Sequence, residues 1–398
     1  MCGQKTEAKK ETKETKAEPQ YIRIPKGCVN VIVDTTKISY VDPKGQITII
    51  RGYRIDDLGK HASFEEAAYL VLFGRLPCED ELKEFSKKLN SERWLPVKVI
   101  DALKQIPPFA HPMFYGSYGL LLLGMYDPDE GDLSIDKLYD RAIRIIAKLP
   151  LLFINGWHLS RYGRLIEPDR SLNHAKDVLR MIRGGNMPTD TEARAFESSL
   201  VLYMDHGFNA STFTTRVIAS TLSDMYSAIA GAIGALKGPL HGGANQKAIE
   251  MLLEIGSPEN VRWYVEEKLK RHEKIMGFGH RVYKLHDPRT DVLREWLEKL
   301  AETSGEAKKF LDMINELEKT MWELKRIPSN IDLYTGALYY LLKIPKEFYT
   351  PIFAIGRVVG WTAHYIEQVS NNKIIRPKED YDGPRGLTYK PLEERCKR

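Results

Sequence analysis

The sequence predicts a mainly α-helical fold with a small β-hairpin near its N-terminus. From about Ser63 onward the apolar residues follow helical spacing, and capping boxes such as Ser63 with Glu66 mark where helices begin. Strand-like runs occur only before that point, and they do not alternate with helices. A parallel α/β sheet is therefore disfavoured as the main architecture.

The N-terminal region divides into a tail and the predicted hairpin. Residues 1–20 form a charged, low-complexity tail that has too little apolar surface to fold, so we expect it to be disordered. After it, residues 29–41 and 46–50 flank the turn signal Asp42-Pro43-Lys44-Gly45. Two apolar runs on either side of such a turn predict a β-hairpin.

Helices follow one another through the remainder of the chain. The first begins at the Ser63 capping box and ends near Gly74, and a second capping box at Thr189 and Glu192 opens a helix that ends near His206. The other predicted helices span about 79–90, 97–105, 111–126, 136–162, 211–236, 244–255, 258–274, 290–303, 306–325, 331–342 and 346–370.

Length and charge narrow the class of protein. The chain has 398 residues, which suggests two or three domains. The net charge is +5, and Lys and Arg are interleaved with Glu and Asp rather than gathered on one basic face. Nucleic-acid binding is therefore disfavoured, whereas a mild positive balance suits small polyanionic ligands.

No segment predicts export or membrane insertion. The first twenty residues lack the apolar core of a signal peptide. The most apolar run, 217–236, carries Asp224 and several hydroxyl side chains, so it predicts a buried core helix rather than a membrane span. We therefore expect a soluble, cytoplasmic protein.

The four cysteines, Cys2, Cys28, Cys78 and Cys396, show no CxxC or other metal-binding spacing. Two interpretations stay open for Cys28 and Cys396: a disulfide that joins the two ends of the chain, or reduced thiols. The scarcity of Gln and the abundance of Glu, Lys and Arg are typical of thermophilic proteins. In hyperthermophiles intracellular disulfides do occur.

Two segments combine a histidine with glycines. In DHGFNAST, His206 falls at a predicted helix C-terminus, where the helix dipole favours a cation, and taken alone it is explained as a capping residue. In GPLHGGAN, the three glycines around His241 would let a ligand approach the backbone closely. The alternative for this second segment is a plain interhelical turn.

A third segment, KIMGFGHRVYK, begins at Lys274 and places His280 after Gly277 and Gly279, and DPR follows with Arg289. A GxG followed by His and flanked by basic residues resembles an anion-binding loop. The three histidines are far apart in sequence, and there is no HExxH motif and no cysteine support. Acid–base chemistry is therefore favoured over metal binding.

Two charged residues lie in apolar helices. Asp332 stands at the start of the helix in NIDLYTG, where it either caps the helix or takes part in chemistry. Arg357 lies in AIGRVVGW, and burying an unpaired arginine is costly. Its partner is therefore either Glu367 or another side chain, or a substrate carboxylate held by two hydrogen bonds.

Taken together, these segments resemble the citrate synthase family. The resemblance runs from about Gly27 to the C-terminus and comprises RGYRIDDL, SFEEAAYLVLFGRLP, DHGFNAST, GPLHGGAN, GFGHRVYK with DPR, NIDLYTG, AIGRVVGWTAHYIEQ and IRP with YDGP, in the family's order. The length is similar to that of the short, dimeric archaeal and Gram-positive forms. The sequence departs from the family at YRID, where YDIE is commoner, and at Lys378, where Arg is usual.

The resemblance implies an enzyme that condenses acetyl-CoA with oxaloacetate and hydrolyses citryl-CoA. It implies that Asp332 removes a methyl proton, that His241 hydrogen-bonds the thioester oxygen, and that His280 protonates the oxaloacetate carbonyl. The oxaloacetate ligands that it implies are His206, Arg289, Arg357 and Arg376. The residues that it implies at CoA are Lys274, Gly277, Gly279 and Lys325. No cofactor and no metal are expected.

The resemblance also implies an architecture and an assembly. A large helical domain would comprise 21–242 and 344–398, and a small helical domain, 243–343, would close over it to control the access of water. Arg376 would reach into the partner subunit's site, which implies an obligate homodimer. No nucleic-acid or membrane partner is expected.

Two alternative functions stay open. A 2-methylcitrate synthase uses propionyl-CoA with the same fold and the same catalytic residues, and it differs by a methyl-sized pocket. A non-catalytic CoA- or dicarboxylate-binding protein on the same scaffold would be expected to lack at least one of His241, His280 and Asp332. All three are present.

Overall fold

The computed structural model describes residues 21–42, 47–280 and 282–395. The chain divides into a segment that ends at Thr36 and a helical unit that begins at Lys37. The described part of the first segment contains no helix and no strand. The site residues considered below all belong to the helical unit.

Some predictions concern residues outside the described ranges. These include the disordered tail, 1–20, and the cysteines Cys2 and Cys396. Cys28 is described and exposed. Both interpretations of Cys28 and Cys396, a disulfide and reduced thiols, therefore stay open.

The helical unit opens with a three-stranded antiparallel sheet in the order β1-β2-β3. The strands span Ser39–Val41 (β1), Thr48–Ile50 (β2) and Tyr53–Arg54 (β3). Arg51 and Gly52 join β2 to β3, and their φ angles of 50° and 94° are those of a tight hairpin turn. The predicted hairpin is confirmed by β1 and β2, while its turn at 43–45 lies outside the described residues.

The predicted first strand, 29–41, is wrong over most of its length, because β1 begins only at Ser39. Ile32 and Val33 are exposed. An apolar alternation forms a strand only where one face can pack on a core and a neighbouring strand accepts its hydrogen bonds. The short third strand, β3, was missed because two residues are too few to give a pattern.

Helices make up most of the remaining chain, which confirms the predicted fold class. In chain order, α1 to α17 span Ile55–His61, Phe64–Phe73, Glu79–Ser91, Val97–Lys104, Met113–Met125, Ile135–Tyr162, His174–Ile182, Asp190–Tyr203, Ala210–Ser220, Met225–Lys237, Ala244–Ile255, Val261–Lys270, Pro288–Ala301, Gly305–Lys325, Ile331–Leu341, Tyr349–Ser370 and Leu392–Arg395. Single 3₁₀ turns precede α12 and α16. Both predicted capping boxes are present at the starts of α2 and α8.

The predicted helix over 211–236 is wrong, since the chain forms α9 and α10 with a break between them. Leu222 lies in the break with a φ of 61°, and the Asp224 side chain accepts a hydrogen bond from the Ser227 N–H at 2.8 Å. An N-cap residue has extended backbone, so a new cap interrupts the helix. The short helices α1, α7 and α17 are also absent from the sequence-based prediction.

The helix α16 lies at the centre of the unit. It packs against α2, α5, α6, α8, α9, α10 and α11, and nearly all of its side chains are buried. The helix α15 packs on α11 and α13. Among the described helices, α6 alone is long and apolar enough to cross a membrane, but almost all of its most apolar stretch is buried inside the protein.

Candidate active site

Arg357 on α16 places a positive charge inside the protein. Its side chain is buried, its Nε donates to the carbonyl oxygen of Tyr203, and its guanidinium lies 4.8 Å from the ring centre of Phe353. Burial lowers the pKa of Arg357 to about 10, so the group stays protonated at neutral pH. Glu367, the side-chain partner considered from the sequence, pairs instead with Arg216 at 2.7 Å. Within the described residues, the two terminal nitrogens of Arg357 have no hydrogen-bond partner.

Arg289 supplies the second buried positive charge. It lies at the start of α13, where its Nε and Nη2 donate to the two carboxylate oxygens of Asp287 at 2.9 and 2.8 Å. Burial opposes its charge, but the carboxylate of Asp287 outweighs that effect and raises the pKa of Arg289 above its ordinary value. Arg289 is therefore charged and held in one orientation.

His206 lies in the loop between α8 and α9, so the predicted position at a helix C-terminus is wrong. The helix α8 ends at Tyr203. The carbonyl of Met204 accepts a hydrogen bond from the Gly360 N–H of α16 at 3.1 Å, which draws the chain away from the helix axis. The capping role considered for His206 therefore does not apply.

Two aromatic neighbours surround the His206 ring. Its Nε2 lies 2.9 Å from the hydroxyl of Tyr283, and its ring centre lies 5.2 Å from that of His280. Burial, followed by the positive charge of Arg289, lowers the pKa of His206 well below its ordinary value. His206 is therefore neutral at pH 7.

A buried pair fixes the loop that carries His206. Asp205 Oδ1 lies 3.1 Å from Nε2 of His364 on α16, and both side chains are fully buried. The other carboxylate oxygen of Asp205 accepts hydrogen bonds from the Ser39 hydroxyl and from the Gly207 N–H. The loop is thereby tied to the central helix on one side and to β1 on the other.

His241 lies in the interhelical loop between α10 and α11, and its ring contacts the start of α9. Its Nε2 accepts a hydrogen bond from the Ser211 N–H at 3.3 Å and lies 2.9 Å from the Ser211 hydroxyl. A backbone N–H can only donate, so the proton of the neutral ring is on Nδ1. Burial, and then the charge of Arg357, lowers the pKa of His241 to about 4. At neutral pH His241 is an uncharged donor through Nδ1.

His280 also has a single neutral form, but its proton is on Nε2 rather than on Nδ1. Its Nδ1 accepts hydrogen bonds from the N–H groups of Val282 and Tyr283 at 3.1 and 3.0 Å, so the proton is on Nε2. Its ring stacks on that of Tyr283 with the centres 4.5 Å apart. Burial, and then the charge of Arg289, lowers the pKa of His280 to about 4. His280 is therefore an uncharged donor through Nε2.

The loop that leads to His280 is held against the segment before α15. The side chain of Asn330 donates to the carbonyl of Gly279 at 2.8 Å. Gly277 has a φ of 76°, and a Cβ there would come within 2.6 Å of the Leu333 Cβ, so a larger residue does not fit. The two segments therefore form one structural piece that sets the distance between His280 and the start of α15.

Asp332 is the second residue of α15 and is half-buried. The side chain of Asn330 accepts the hydrogen bond from the Asp332 N–H at 3.0 Å, so Asn330 is the cap and Asp332 is not. The Tyr203 hydroxyl lies 3.4 Å from Oδ1 of Asp332. Burial raises the pKa of Asp332 to about 6, although Arg289 acts in the opposite direction. A carboxylate with such a pKa is suited to accept a proton near neutral pH.

Apart from the loop glycines Gly277 and Gly279, the predicted site residues divide into a cluster and an exposed set. The cluster is joined by direct contacts and by the effects of its members on one another's pKa values, and it comprises His206, His241, His280, Arg289, Asp332 and Arg357. Lys274, Lys325 and Arg376 are exposed and make no hydrogen bond to this cluster within the described residues. Lys325 ends α14, and Arg376 lies in the extended segment after α16.

Three aromatic residues of the cluster were missed by the sequence analysis. The ring centre of Phe353 lies 4.2 Å from that of Tyr203 and 6.1 Å from that of His241, and Tyr283 contacts His206 and His280. Tyr283 lies within the GFGHRVYK segment, but its role depends on contacts that sequence spacing does not reveal. Among the described residues, no group of three or more His, Cys, Asp or Glu side chains is arranged to hold a metal ion.

We expect His241 and His280 to be neutral at pH 7 and to titrate near pH 4, with the proton of His241 on Nδ1 and that of His280 on Nε2. Histidine-selective ¹⁵N NMR measures both the titration and the protonated nitrogen. His286 is an internal control, because Asp291 lies 2.9 Å from it and raises its pKa above the ordinary value. A charged His241 or His280 at pH 7 would contradict the assignment.

The sequence matches known proteins over nearly its whole length. The family model for "Citrate synthase, C-terminal domain" matches residues 27–378. The chain is 41% identical over 372 residues to citrate synthase 2 of Bacillus subtilis, which covers 93% of this chain and 99% of that protein. It is also 41% identical over 360 residues to the 2-methylcitrate synthase of Mycobacterium tuberculosis, with 90% of this chain and 91% of that protein covered.

Solved structures agree with these matches. The citrate synthase of Thermotoga maritima superimposes with a TM-score of 0.83 at 39% identity, and it covers 94% of this chain and 99% of its own. The citrate synthase of Thermoplasma acidophilum, solved as a ternary complex with carboxymethyl coenzyme A and oxaloacetate, gives a TM-score of 0.87 at 33% identity and covers 94% of this chain and 100% of its own. The chain therefore belongs to the citrate synthase family of acyl-transferring enzymes.

Proposed function

We propose that this protein condenses acetyl-CoA with oxaloacetate and hydrolyses the resulting citryl-CoA to citrate and CoA. One observation carries the proposal: a carboxylate with a pKa of about 6, Asp332, lies in the same cluster as two neutral imidazole donors and two buried arginines. This combination supplies a base, two proton donors and an anion site, which are the groups that the reaction requires.

The first step is removal of a methyl proton from acetyl-CoA. A proton next to a thioester is a very weak acid, so a base and a donor to the developing oxygen anion must act together. We assign the base to Asp332 and the donor to Nδ1 of His241. With a pKa of about 6, roughly nine-tenths of Asp332 is ionised at pH 7. The neutral state of His241 suits hydrogen bonding to an enol oxygen.

The enol carbon then attacks the keto carbon of oxaloacetate. We assign to His280 the transfer of its Nε2 proton to the keto oxygen as the new carbon–carbon bond forms. Oxaloacetate is a dianion, and we assign its carboxylates to Arg289, Arg357 and His206. The unpartnered terminal nitrogens of Arg357 within the described residues support this assignment, because a buried guanidinium needs an anion.

Hydrolysis of citryl-CoA requires that water be excluded at first and admitted later. We propose that 243–343 forms a small domain that closes over a large domain of 21–242 and 344–398. His280 and Asp332 belong to the proposed small domain, whereas His241 and Arg357 belong to the large one. Closure would therefore complete the catalytic set at the same time as it excludes water.

For CoA we propose the basic side chains of Lys274 and Lys325 and the loop glycines Gly277 and Gly279. The two lysines are exposed, as groups that bind the phosphates of a partly solvated ligand would be. The glycines also have a packing role, as described above for Gly277. The proposal includes no cofactor beyond the substrates, because proton transfer and charge stabilisation suffice for each step. It also includes a cytoplasmic location, as predicted from the sequence.

With oxaloacetate present, we expect thiol release from acetyl-CoA to exceed that from propionyl-CoA, by about 10- to 200-fold if one methylene is excluded from the acyl pocket. A thiol-reactive dye measures both rates side by side, and reactions without oxaloacetate are the control. The opposite preference would identify a 2-methylcitrate synthase with the same mechanism, as the Mycobacterium tuberculosis relative is named. No release with either substrate would favour a non-catalytic binding protein.

We expect Asp332→Asn to lower kcat by at least about 100-fold while the binding of oxaloacetate stays nearly unchanged, because only the base is lost. In the unaltered protein, kcat/KM for acetyl-CoA should fall about tenfold for each pH unit below 6, as protonation of Asp332 removes the base. Asp312→Asn, at an exposed position on α14, is the matched control. Full activity of Asp332→Asn would refute the assignment.

We also propose that the protein is a homodimer. On α5, Phe114, Tyr118, Leu121 and Met125 recur at helical spacing, and each is at least two-fifths exposed in the single chain. A contiguous apolar face of this kind supports a self-complementary interface with a second copy. Arg376 is exposed on the segment after α16, which is compatible with its predicted role in the partner subunit's site.

A mixed dimer of Arg376→Ala and Asp332→Asn chains tests the shared site. If Arg376 acts across the interface, one of the two sites keeps both residues and the other loses both. We then expect the mixed dimer to have about half the activity of the unaltered protein, although each variant on its own is strongly impaired. Affinity tags of two kinds allow the mixed species to be purified before assay. If Arg376 acts within its own chain, both sites are damaged and activity does not recover.

A further inference from the structure

Tyr283 links three members of the cluster, His206, His280 and Arg289. Its backbone N–H donates to Nδ1 of His280 at 3.0 Å, and its ring stacks on the same imidazole with an angle of 27° between the planes. Its hydroxyl lies 2.9 Å from Nε2 of His206. The guanidinium of Arg289 lies 5.4 Å from the Tyr283 ring centre. One side chain therefore contacts both imidazoles that face oxaloacetate in the proposed function.

The hydroxyl of Tyr283 has a second partner that anchors it. The Thr48 hydroxyl of β2 is hydrogen-bonded to it, and both side chains are about 1% exposed. Thr48 is the first residue of its strand, and β2 is paired on both sides in the small sheet. The hydrogen bonds thus run from the sheet through Thr48 and Tyr283 to His206.

We propose that Tyr283 is a positioning residue for the oxaloacetate site, its hydroxyl orienting His206 and its ring orienting His280, with Thr48 anchoring that hydroxyl. This inference rests on the proposed function, because it takes both histidines as groups that act on oxaloacetate. The hydrogen bond commits one ring nitrogen of His206 to Tyr283 and leaves the other for a ligand. The stack fixes the plane of the His280 ring. In that plane Nδ1 accepts hydrogen bonds from two backbone N–H groups.

The hydroxyl and the ring of Tyr283 can be separated by substitution. Tyr283→Phe keeps the stack on His280 and removes only the hydroxyl. We expect it to raise KM for oxaloacetate by about 2- to 15-fold, the range for loss of one hydrogen bond, with kcat and KM for acetyl-CoA changed by less than about 3-fold. Tyr283→Leu also removes the stack, and we expect it to lower kcat by a further 10- to 100-fold or so, because His280 is misoriented.

Thr48→Val provides a test that a merely structural role would not pass. If Thr48 acts only through Tyr283, Thr48→Val alone raises KM for oxaloacetate. The double variant of Thr48→Val and Tyr283→Phe then has no higher KM for oxaloacetate than Tyr283→Phe alone. Tyr264→Phe is the matched control, because it removes a buried hydroxyl that donates to Glu254 at 2.7 Å on α12, outside the cluster. Its KM values should match those of the unaltered protein, and thermal melting checks that each variant is folded.

Calorimetric titration with oxaloacetate separates this inference from the proposed function. If the unaltered protein releases no thiol from either acyl-CoA, the proposed function fails, and the inference is then judged by Kd alone. A Kd for oxaloacetate that rises by about 2- to 15-fold in Tyr283→Phe supports it. An unchanged KM and Kd in Tyr283→Phe, or effects of Thr48→Val and Tyr283→Phe that multiply in the double variant, would overturn it. Equal kcat values for Tyr283→Leu and Tyr283→Phe would overturn the role of the ring.

Discussion

The burial of two guanidinium groups is the constraint on which the rest of the site depends. Removing a charge from water is costly unless the protein supplies compensating groups. The charge of Arg289 is compensated by a bidentate ion pair with Asp287. The charge of Arg357 is compensated only by a hydrogen bond to a carbonyl oxygen and by the nearby charge of Asp205. The core therefore retains positive potential at Arg357. That potential attracts an anion, and together with burial it holds the pKa of His241 low.

The neutral form of each of the two imidazoles that we propose as catalytic follows from the backbone rather than from other side chains. The N–H of Ser211 is directed at Nε2 of His241, and the N–H groups of Val282 and Tyr283 are directed at Nδ1 of His280. Backbone N–H groups cannot reverse their role, so each ring has one possible neutral form. Backbone conformation thus decides which nitrogen can donate to a substrate. Before His280, Gly277 and Gly279 allow that conformation through φ angles of 76° and 78°.

The fold class and the members of the cluster could be predicted from the sequence because they depend on local patterns. His241, His280 and Asp332 stand in short segments that resemble motifs of the citrate synthase family. The features that could not be predicted depend on contacts between distant residues. His206 leaves its helix because Met204 bonds to Gly360, and Asn330 rather than Asp332 caps α15. The break at Leu222 requires a left-handed backbone at a residue that rarely adopts it.

The central position of α16 has a consequence for how the chain reaches its native state. This helix ends at Ser370, near the end of the 398-residue chain, yet seven earlier helices pack on it. The backbone N–H of Lys37 donates to the side chain of Glu367 at 2.8 Å, so the start of the sheet is joined to the last turns of α16. A core closed by such distant contacts cannot form before α16 has been synthesised. The apolar faces of the earlier helices that pack on α16 therefore stay without this partner until α16 itself has left the ribosome.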